Sequence, residues 1–451
     1  LVYPDGSRTM VPARAKNTAS HEIWDEDGTG FSWCGGGVYH HDLATGKQEC
    51  WCPDPKARHN RVSANGKYVV YDVAPGAWWR GCPWCVRFYN RETKRTVDVY
   101  STRPALMPRE NESKRHPDPH PHFVCHEKYV ISTANNARGN MELFVTPVDQ
   151  LVARTTMSTP KDGKLVRVTN PLAVPREAET VAVKWKELGL EPGNTAVRVW
   201  DVAANVPVAW QDTGREGNLI FSTALAPNET RVFRILADAT LPQADLSIVC
   251  WSQYLPERMD DFAWENDKFG ARAYGPIIMQ PAPKGQKLVS SGVDIINKCV
   301  SYPVLHRWFV ERTGEGSYHK DHGEGMDNYK VGPSRGCGGL GALGADGKWA
   351  TSINWAKSKT IMNGPVRTVF ELTYPAWGGF GEETRRVTLD RGQHFARFET
   401  RFKGKAPTGV KVGPGLDCAK VRQHDGKITR DLAAGWIANF EPNGVDGKYT
   451  G

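Results

Sequence analysis

The chain has 451 residues, of which 39% are hydrophobic, 24% charged and 10% aromatic, which is enough apolar material for packed cores and excludes a disordered polymer. Lys and Arg outnumber Asp and Glu by 58 to 50, a net charge of +8, but the cations are interspersed and form no basic run, which argues against a nucleic-acid partner. No stretch approaches the roughly 18 uncharged apolar residues of a membrane span, and the opening LVYPDGSRTM has neither a starting Met nor a signal-type apolar core, so the chain is expected to be soluble and either processed or a fragment.

Glycine (45) and proline (30) are spread without a collagen-like period, the pattern of many turns joining short strands in a mostly β protein of at least two domains. Three early segments share one layout. His21 is followed by Asp27-Gly28 and the run FSW, and His59 by Asn65-Gly66 and the alternating KYVVYDV. His120 leads into PHFVCHE and KYVISTA. Each unit reads as strand, turn, strand, with further strands such as VRFYNRETKRTVDVY and MELFVTPVD behind it, which is the pattern of a propeller blade. Equivalent positions of successive blades face one region, so His21, His59 and His120 are expected to converge, with His122 beside His120 by strand alternation. Three units are too few to close a propeller. Blades 1–152 are followed by a polar linker, 153–163, and then by a second β region, 164–451. Its first part, 164–245, has five strand-like runs from LVRVTNPL to TRVFRIL and reads as a small antiparallel sandwich. The main part, 246–451, carries TVFELTY, RRVTLD and HFARFETRF. The expected architecture is therefore partial β-propeller blades followed by an antiparallel β-sandwich or super-sandwich.

Taken together, SHEIWDEDG (20–28), ARHNRVSANGKYVVYD (57–72) and HPDPHPHF (116–123) resemble the C-terminal blades of oligogalacturonate lyases, propeller enzymes that cleave short pectin oligomers by β-elimination. The resemblance implies a divalent metal, usually manganese, held by His59, His120 and His122. The family's glutamine ligand corresponds here to Pro117, with His116 as its candidate replacement. His21 falls at the family's catalytic base. The longer region resembles the bacterial domain of unknown function 4861, through ERMDDFAWENDKFGARAYGP (257–276) and GSYHKDHGEGMDNYKVGPSRGCGG (316–339). That resemblance implies a galactose-mutarotase-like super-sandwich of carbohydrate-degrading systems.

β-Elimination of a uronide removes a C5 proton whose acidity depends on neutralising the adjacent carboxylate. A metal held by three neutral imidazoles does that and leaves positions open for substrate. A nearby histidine could take the proton, a role the resemblance implies for His21, and Arg61, on the strand face of His59, could clamp a carboxylate. The blander alternative is that these histidines only bond the blade turns. Cys50-x-Cys52 with Cys82-x-x-Cys85 could supply four zinc thiolates, or be packed or disulfide-linked. In the second region Asp261, Glu265 and Arg272 alternate with Phe262 and Trp264, so carboxylates and aromatics could share out the two faces of a strand and hold sugar hydroxyls. The segment HKDHGEGMDNYK, with His319, Asp321, His322, Tyr329 and Lys330, reads as a polar loop lining a cleft, able to do acid–base work on a glycosidic bond or simply to order itself. Arg335 in GPSRGCGG is a candidate carboxylate clamp.

A mildly basic chain with 16 Trp, 14 Tyr and 15 Phe suits an acidic oligosaccharide partner. The expected function is metal-assisted β-elimination of oligogalacturonides in pectin or uronate breakdown. One alternative is a hydrolase or lyase activity of the super-sandwich on a rhamnose- or uronate-containing oligosaccharide, through His319, Asp321 and His322. Another is non-catalytic carbohydrate binding. A bacterial periplasmic or secreted setting follows from the sugar-degrading context, with a cytoplasmic one as the alternative.

Overall fold

Short β-branched and aromatic runs cut by Asp-Gly and Asn-Gly turns pair most readily with their chain neighbours, and the strands pair almost wholly antiparallel. The computed structural model describes residues 20–73, 83–104, 119–135, 141–279, 291–311, 318–321, 324–329, 331, 334–416, 427–442 and 449–450. The chain divides into two compact units, Leu1–Ser158 and Thr159–Gly451.

The first unit holds three successive up-and-down sheets. Strands β1 (Ser20–Trp24), β2 (Gly30–Cys34), β3 (Val38–Asp42) and β4 (Gln48–Cys52) pair in sequence order. So do β5 (Ala57–Val62), β6 (Tyr68–Val73), β7 (Pro83–Asn90) and β8 (Arg95–Pro104), and then β9 (His122–Val124), β10 (Tyr129–Asn135) and β11 (Met141–Pro147). The turns work as their sequences require. Asp27 accepts the Thr29 amide and Asn65 the Lys67 amide, while Gly28 and Gly66 take φ of 71° and 66°. Val69, Tyr71 and Val73 pack on Cys34, Val38 and Cys52, and the opposite face of β6, through Val70, packs with Phe88, Phe123 and Val130. A helix, α1 (Val148–Thr156), closes the unit with Val148, Leu151 and Thr155 buried. The first residues of the expected linker 153–163 are thus helical. Their apolar positions recur at helical spacing, which the Ser/Thr-rich composition masked.

The second unit begins with a sandwich. One sheet orders β12 (Lys164–Thr169), β18 (Thr230–Ala237), β14 (Val197–Asp201) and β15 (Val206–Val208). The other orders β13 (Arg176–Lys184), β17 (Asn218–Leu225) and β16 (Trp210–Asp212). Val197, Val199, Phe233 and Ile235 meet Trp210, Leu219 and Phe221 in its core.

The main part pairs β19 (Trp251–Leu255), β20 (Asp261–Glu265), β21 (Phe269–Ala273), β22 (Val293–Lys298) and β23 (Gly325–Met326) in one sheet. A second sheet holds β26 (Lys357–Met362), β27 (Arg367–Tyr374), β28 (Glu383–Asp390) and β29 (Arg397–Phe402). Between them Phe262, Trp264, Ala271 and Val293 pack on Phe370, Leu372, Val387 and Leu389. Each large side chain buried there contributes roughly 1.5–3 kcal/mol. The far face of the five-stranded sheet is also covered: Leu255, Ala263 and Ile296 lie against Val304, Leu305, Trp308 and Phe309. A third sheet orders β25 (Trp349–Thr351), β24 (Cys337–Leu343) and β30 (Lys411–Leu416), and β31 (Lys427–Asp431), β32 (Trp436–Pro442) and β33 (Tyr449–Thr450) complete the described strands. The protein is mostly β, with blade-like sheets followed by packed antiparallel sheets.

Candidate functional site

Three histidines from three sheets of the first unit meet in space. The rings of His21 and His59 have centroids 4.3 Å apart, edge to face, and those of His59 and His120 are stacked at 3.8 Å. Two of them get there through unusual backbone. His21 sits at a register break of β1 with φ 60°, and His120, just before β9, has φ 40°. Bulges and left-handed residues re-aim side chains that a regular strand would send elsewhere.

Behind the histidines lies Asp72 of β6, fully buried. It accepts the His59 amide at 2.9 Å, the His59 ring Nδ1 at 2.8 Å and the His120 amide at 3.1 Å. A carboxylate at Nδ1 favours the tautomer whose lone pair is on Nε2. Arg61 follows His59 on β5. Burial, then the charges of Arg61 and His120, hold the His122 imidazole below its ordinary pKa, so it is neutral near pH 7.

An ion site needs donor lone pairs that converge. His59 and His120 instead face each other through their rings, and among the described residues no three His, Cys, Asp or Glu side chains are arranged to hold a metal ion. The expected manganese ligands His59, His120 and His122 are therefore not assembled as a centre in this arrangement. The alternation that put His120 and His122 on one face does not apply, because His120 precedes the strand and is left-handed. His116 and Pro117 lie outside the described residues. The zinc reading fares likewise: Cys52 is core, Cys50 is exposed, and Cys85 donates to Asp98. Cys82 lies outside the described residues.

In the second unit, Arg272 is the centre of a buried ion cluster. Its guanidinium reaches Asp294 Oδ2 at 2.9 Å, Asp327 Oδ2 at 2.9 Å, Asp261 Oδ2 at 3.4 Å and the Tyr318 hydroxyl at 3.4 Å. Tyr274 donates to Asp294 at 3.0 Å, and Arg258 stands 3.9 Å from Asp261. One Oδ1 of each aspartate is buried without a hydrogen-bond partner. Burial, set against the pull of Arg272 and Arg258, pushes Asp261 up to about 6; burial and the neighbouring Asp294 push Asp327 up to about 7. His319, half-exposed, contacts the Asp327 carbonyl through Nδ1 at 2.8 Å. The cluster thus runs from an accessible imidazole to a fully buried guanidinium.

Several residues expected to touch sugar are placed otherwise. Trp264 is 1% exposed in the sandwich core. Glu265 is fully buried, pairs with Lys298 at 2.6 Å and accepts the amides of Val304 and Leu305 at 2.9 and 2.8 Å, so it pins the covering segment. Asp261 and Arg272 are buried in the ion cluster. All four follow from β20 and β21 being covered on both faces. Asp321 accepts the Gly325 amide, and Tyr329 packs near Tyr274 and Val331. His322 and Lys330 lie outside the described residues. Arg335 is half-buried and bonds Ser291. Asp72 and Asp294 went unnoticed in the sequence. The signal available was a lone acid inside an apolar strand, YVVYDV and VDIIN, where only a bonded carboxylate is tolerated.

Comparison with known proteins bears mainly on the second unit. The model of the family described as Domain of unknown function (DUF4861) matches residues 168–447. The chain belongs to this family. A relative, the Uncharacterized protein P7 of Formosa agariphila, is 34% identical over 302 residues, 64% of this chain and 74% of that protein. Among solved structures, an oligogalacturonate lyase in complex with manganese is 19% identical over 32% of this chain, with a TM-score of 0.28. An oligogalacturonate lyase from Vibrio parahaemolyticus is 18% identical over 33%, with a TM-score of 0.27. The chain spans 40% of the length of each lyase structure.

Proposed function

We propose that the chain is a carbohydrate-active enzyme that cleaves acidic, pectin-type oligosaccharides by β-elimination at the histidine cluster. The observation that carries this is the meeting of His21, His59 and His120 from three sheets around one buried carboxylate, Asp72. The chemistry asks for three things: neutralisation of the C6 carboxylate, a base at C5, and a route for the proton to the departing oxygen. Arg61 supplies a cation beside His122. His21 accepts the C5 proton, the C5–H electrons form the C4=C5 double bond, and the C4–O bond breaks as the protonated His21 returns that proton to the leaving oxygen. Asp72 holds His59 and the His120 backbone in register for this. Because the donors do not fit a three-histidine ion site as they stand, no step is assigned to a metal.

The test is ultraviolet absorbance on mixing the protein with short oligogalacturonides, with manganese, without it and with a chelator. Elimination creates a conjugated double bond, whereas hydrolysis does not. A rise lost in His120→Ala and His21→Ala is expected. A flat trace under every metal condition would sink the reading.

A second reading is favoured by the state of Asp327. A fully buried carboxyl pushed up to about 7 holds a proton near neutral pH, and the accessible His319, whose Nδ1 is 3.6 Å from Asp327 Oδ2, is the group that would pass a proton to a glycosidic oxygen. Reducing-end release without absorbance change, abolished in Asp327→Asn and His319→Ala, would select it.

A further inference from the structure

The two faces of the β25–β24–β30 sheet carry different residues. Ala342 and Ala350 point to the side packed by Trp377 and Phe380. On the opposite side, Gly341 pairs with Gly413 of β30, and Gly415 follows two residues on, so these three positions share a face. No heavy atom lies within 4 Å of where a Cβ of Gly413 would stand. The backbone is bare at Gly413.

The two ends of this face are furnished. At one, Trp349 lies flat enough on Gly341 that a Cβ there would meet its ring at 3.3 Å, yet 71% of the residue is exposed. At the other, the stem of Arg335 rests where Gly415 has no side chain: a Cβ would meet Arg335 Cβ and Cγ at 3.1 Å. Gly292 and Gly339 admit the Arg335 backbone just as closely. Two strand positions and one strand spacing separate Gly341 from Gly415, about 8 Å.

Among the described residues, no acid pairs with Arg335. Burial and the like charge of Arg385 both act to lower its pKa, with the Tyr374 phenol the opposing influence. The acid beside Arg385, Glu383, is engaged elsewhere: Oε1 accepts Arg385 Nε at 2.9 Å and NH2 at 2.7 Å, and Oε2 accepts Trp377 Nε1 at 2.8 Å. Ser291 accepts from Arg335 while its own hydroxyl donates to the Ser352 carbonyl at 2.6 Å, which fixes the guanidinium in place. A guanidinium oriented by a hydroxyl, with no acid paired to it among the described residues, suits an oxyanion, and an exposed indole suits the face of a pyranose ring.

We propose that this face binds an acidic sugar chain, one ring stacked on Trp349 and the planar or tetrahedral oxyanion of a neighbouring residue held by Arg335. The oxyanion is a uronate carboxylate or a sulfate ester. The proposal shares with the β-elimination reading only the acidic class of sugar. It concerns binding alone, at residues of the second unit.

Calorimetric titration of the full chain with digalacturonate, a sulfated galactobiose and neutral galactobiose tests it. Trp349→Ala is expected to weaken all binding about tenfold or more. Arg335→Ala should weaken only the charged ligands, by roughly tenfold to a hundredfold, with part of that recovered in Arg335→Lys. The charged sugar whose affinity depends on Arg335 identifies the oxyanion. Wild-type affinity for every sugar in both Trp349→Ala and Arg335→Lys, each with an unchanged melting curve, would overturn the site, as would equal affinity of the native chain for neutral and charged sugars. Titrating His120→Ala keeps the two readings apart: this face should bind as before while elimination is lost.

Discussion

In the first unit the polar side chains stand where strands begin, at the bulge of His21 and the left-handed turn of His120, and a single buried carboxylate orders two of the three histidines. In the second unit they lie on or beside β20, β21 and β22, under the segment that carries Val304, Leu305 and Trp308. Groups at strand ends can be presented to a substrate. Groups beneath a doubly covered sheet must neutralise one another: three aspartates surround Arg272, and burial pushes two of them, Asp261 and Asp327, up towards their protonated forms.

That contrast can be broken most directly at Arg272. Arg272→Ala leaves buried carboxylates uncompensated and is expected to cost about 3–5 kcal/mol in urea unfolding. A loss under about 1 kcal/mol would show that the cluster is wetter than its burial indicates. In the first unit, Asp72→Ala should lower the elimination rate by roughly 10–100-fold through misplaced histidines. If the rate is unchanged while the fold weakens, Asp72 is only a structural anchor.

The pH dependence separates the units further. Asp327 and Asp261 are pushed up to about 7 and about 6, above the ordinary carboxylate near 3.9. Between about pH 4 and 7 the folded chain therefore keeps protons that the unfolded chain has released, so these groups make stability fall as pH rises through that window. Melts across about pH 4–8 should show the fall, and Asp327→Asn should flatten it. Identical slopes would remove Asp327 as the proton holder. The smallest effect is expected at Cys50: Cys50→Ser should stay within about 0.5 kcal/mol, with or without a zinc chelator. A larger, chelator-sensitive change would revive the thiolate site.

The parts legible in the sequence were local ones. Asn-Gly and Asp-Gly turns marked the blade hairpins, and the spacing of His21, His59 and His120 pointed to a common region because repeated units repeat their geometry. What was not legible depended on contacts between distant segments. DFAWE reads as a strand with one wet face, and only the segment at 304–309, from far along the chain, makes both faces dry. For the same reason Glu265 looked like a sugar ligand and is instead an anchor for that cover. The left-handed backbone at His120 could not be read from the sequence, since histidine, though enriched at positive φ, still adopts it only in a minority of cases.

His21 at φ 60° and His120 at φ 40° are held in a region that costs a side-chain-bearing residue of order 1 kcal/mol or more, and glycine much less. Replacing either by glycine should therefore relieve strain even as it removes an imidazole. A variant that melts later than the parent and no longer turns over would mark these two positions as places where selection has kept working capacity at the expense of robustness. A stability-guided redesign would erase such positions first.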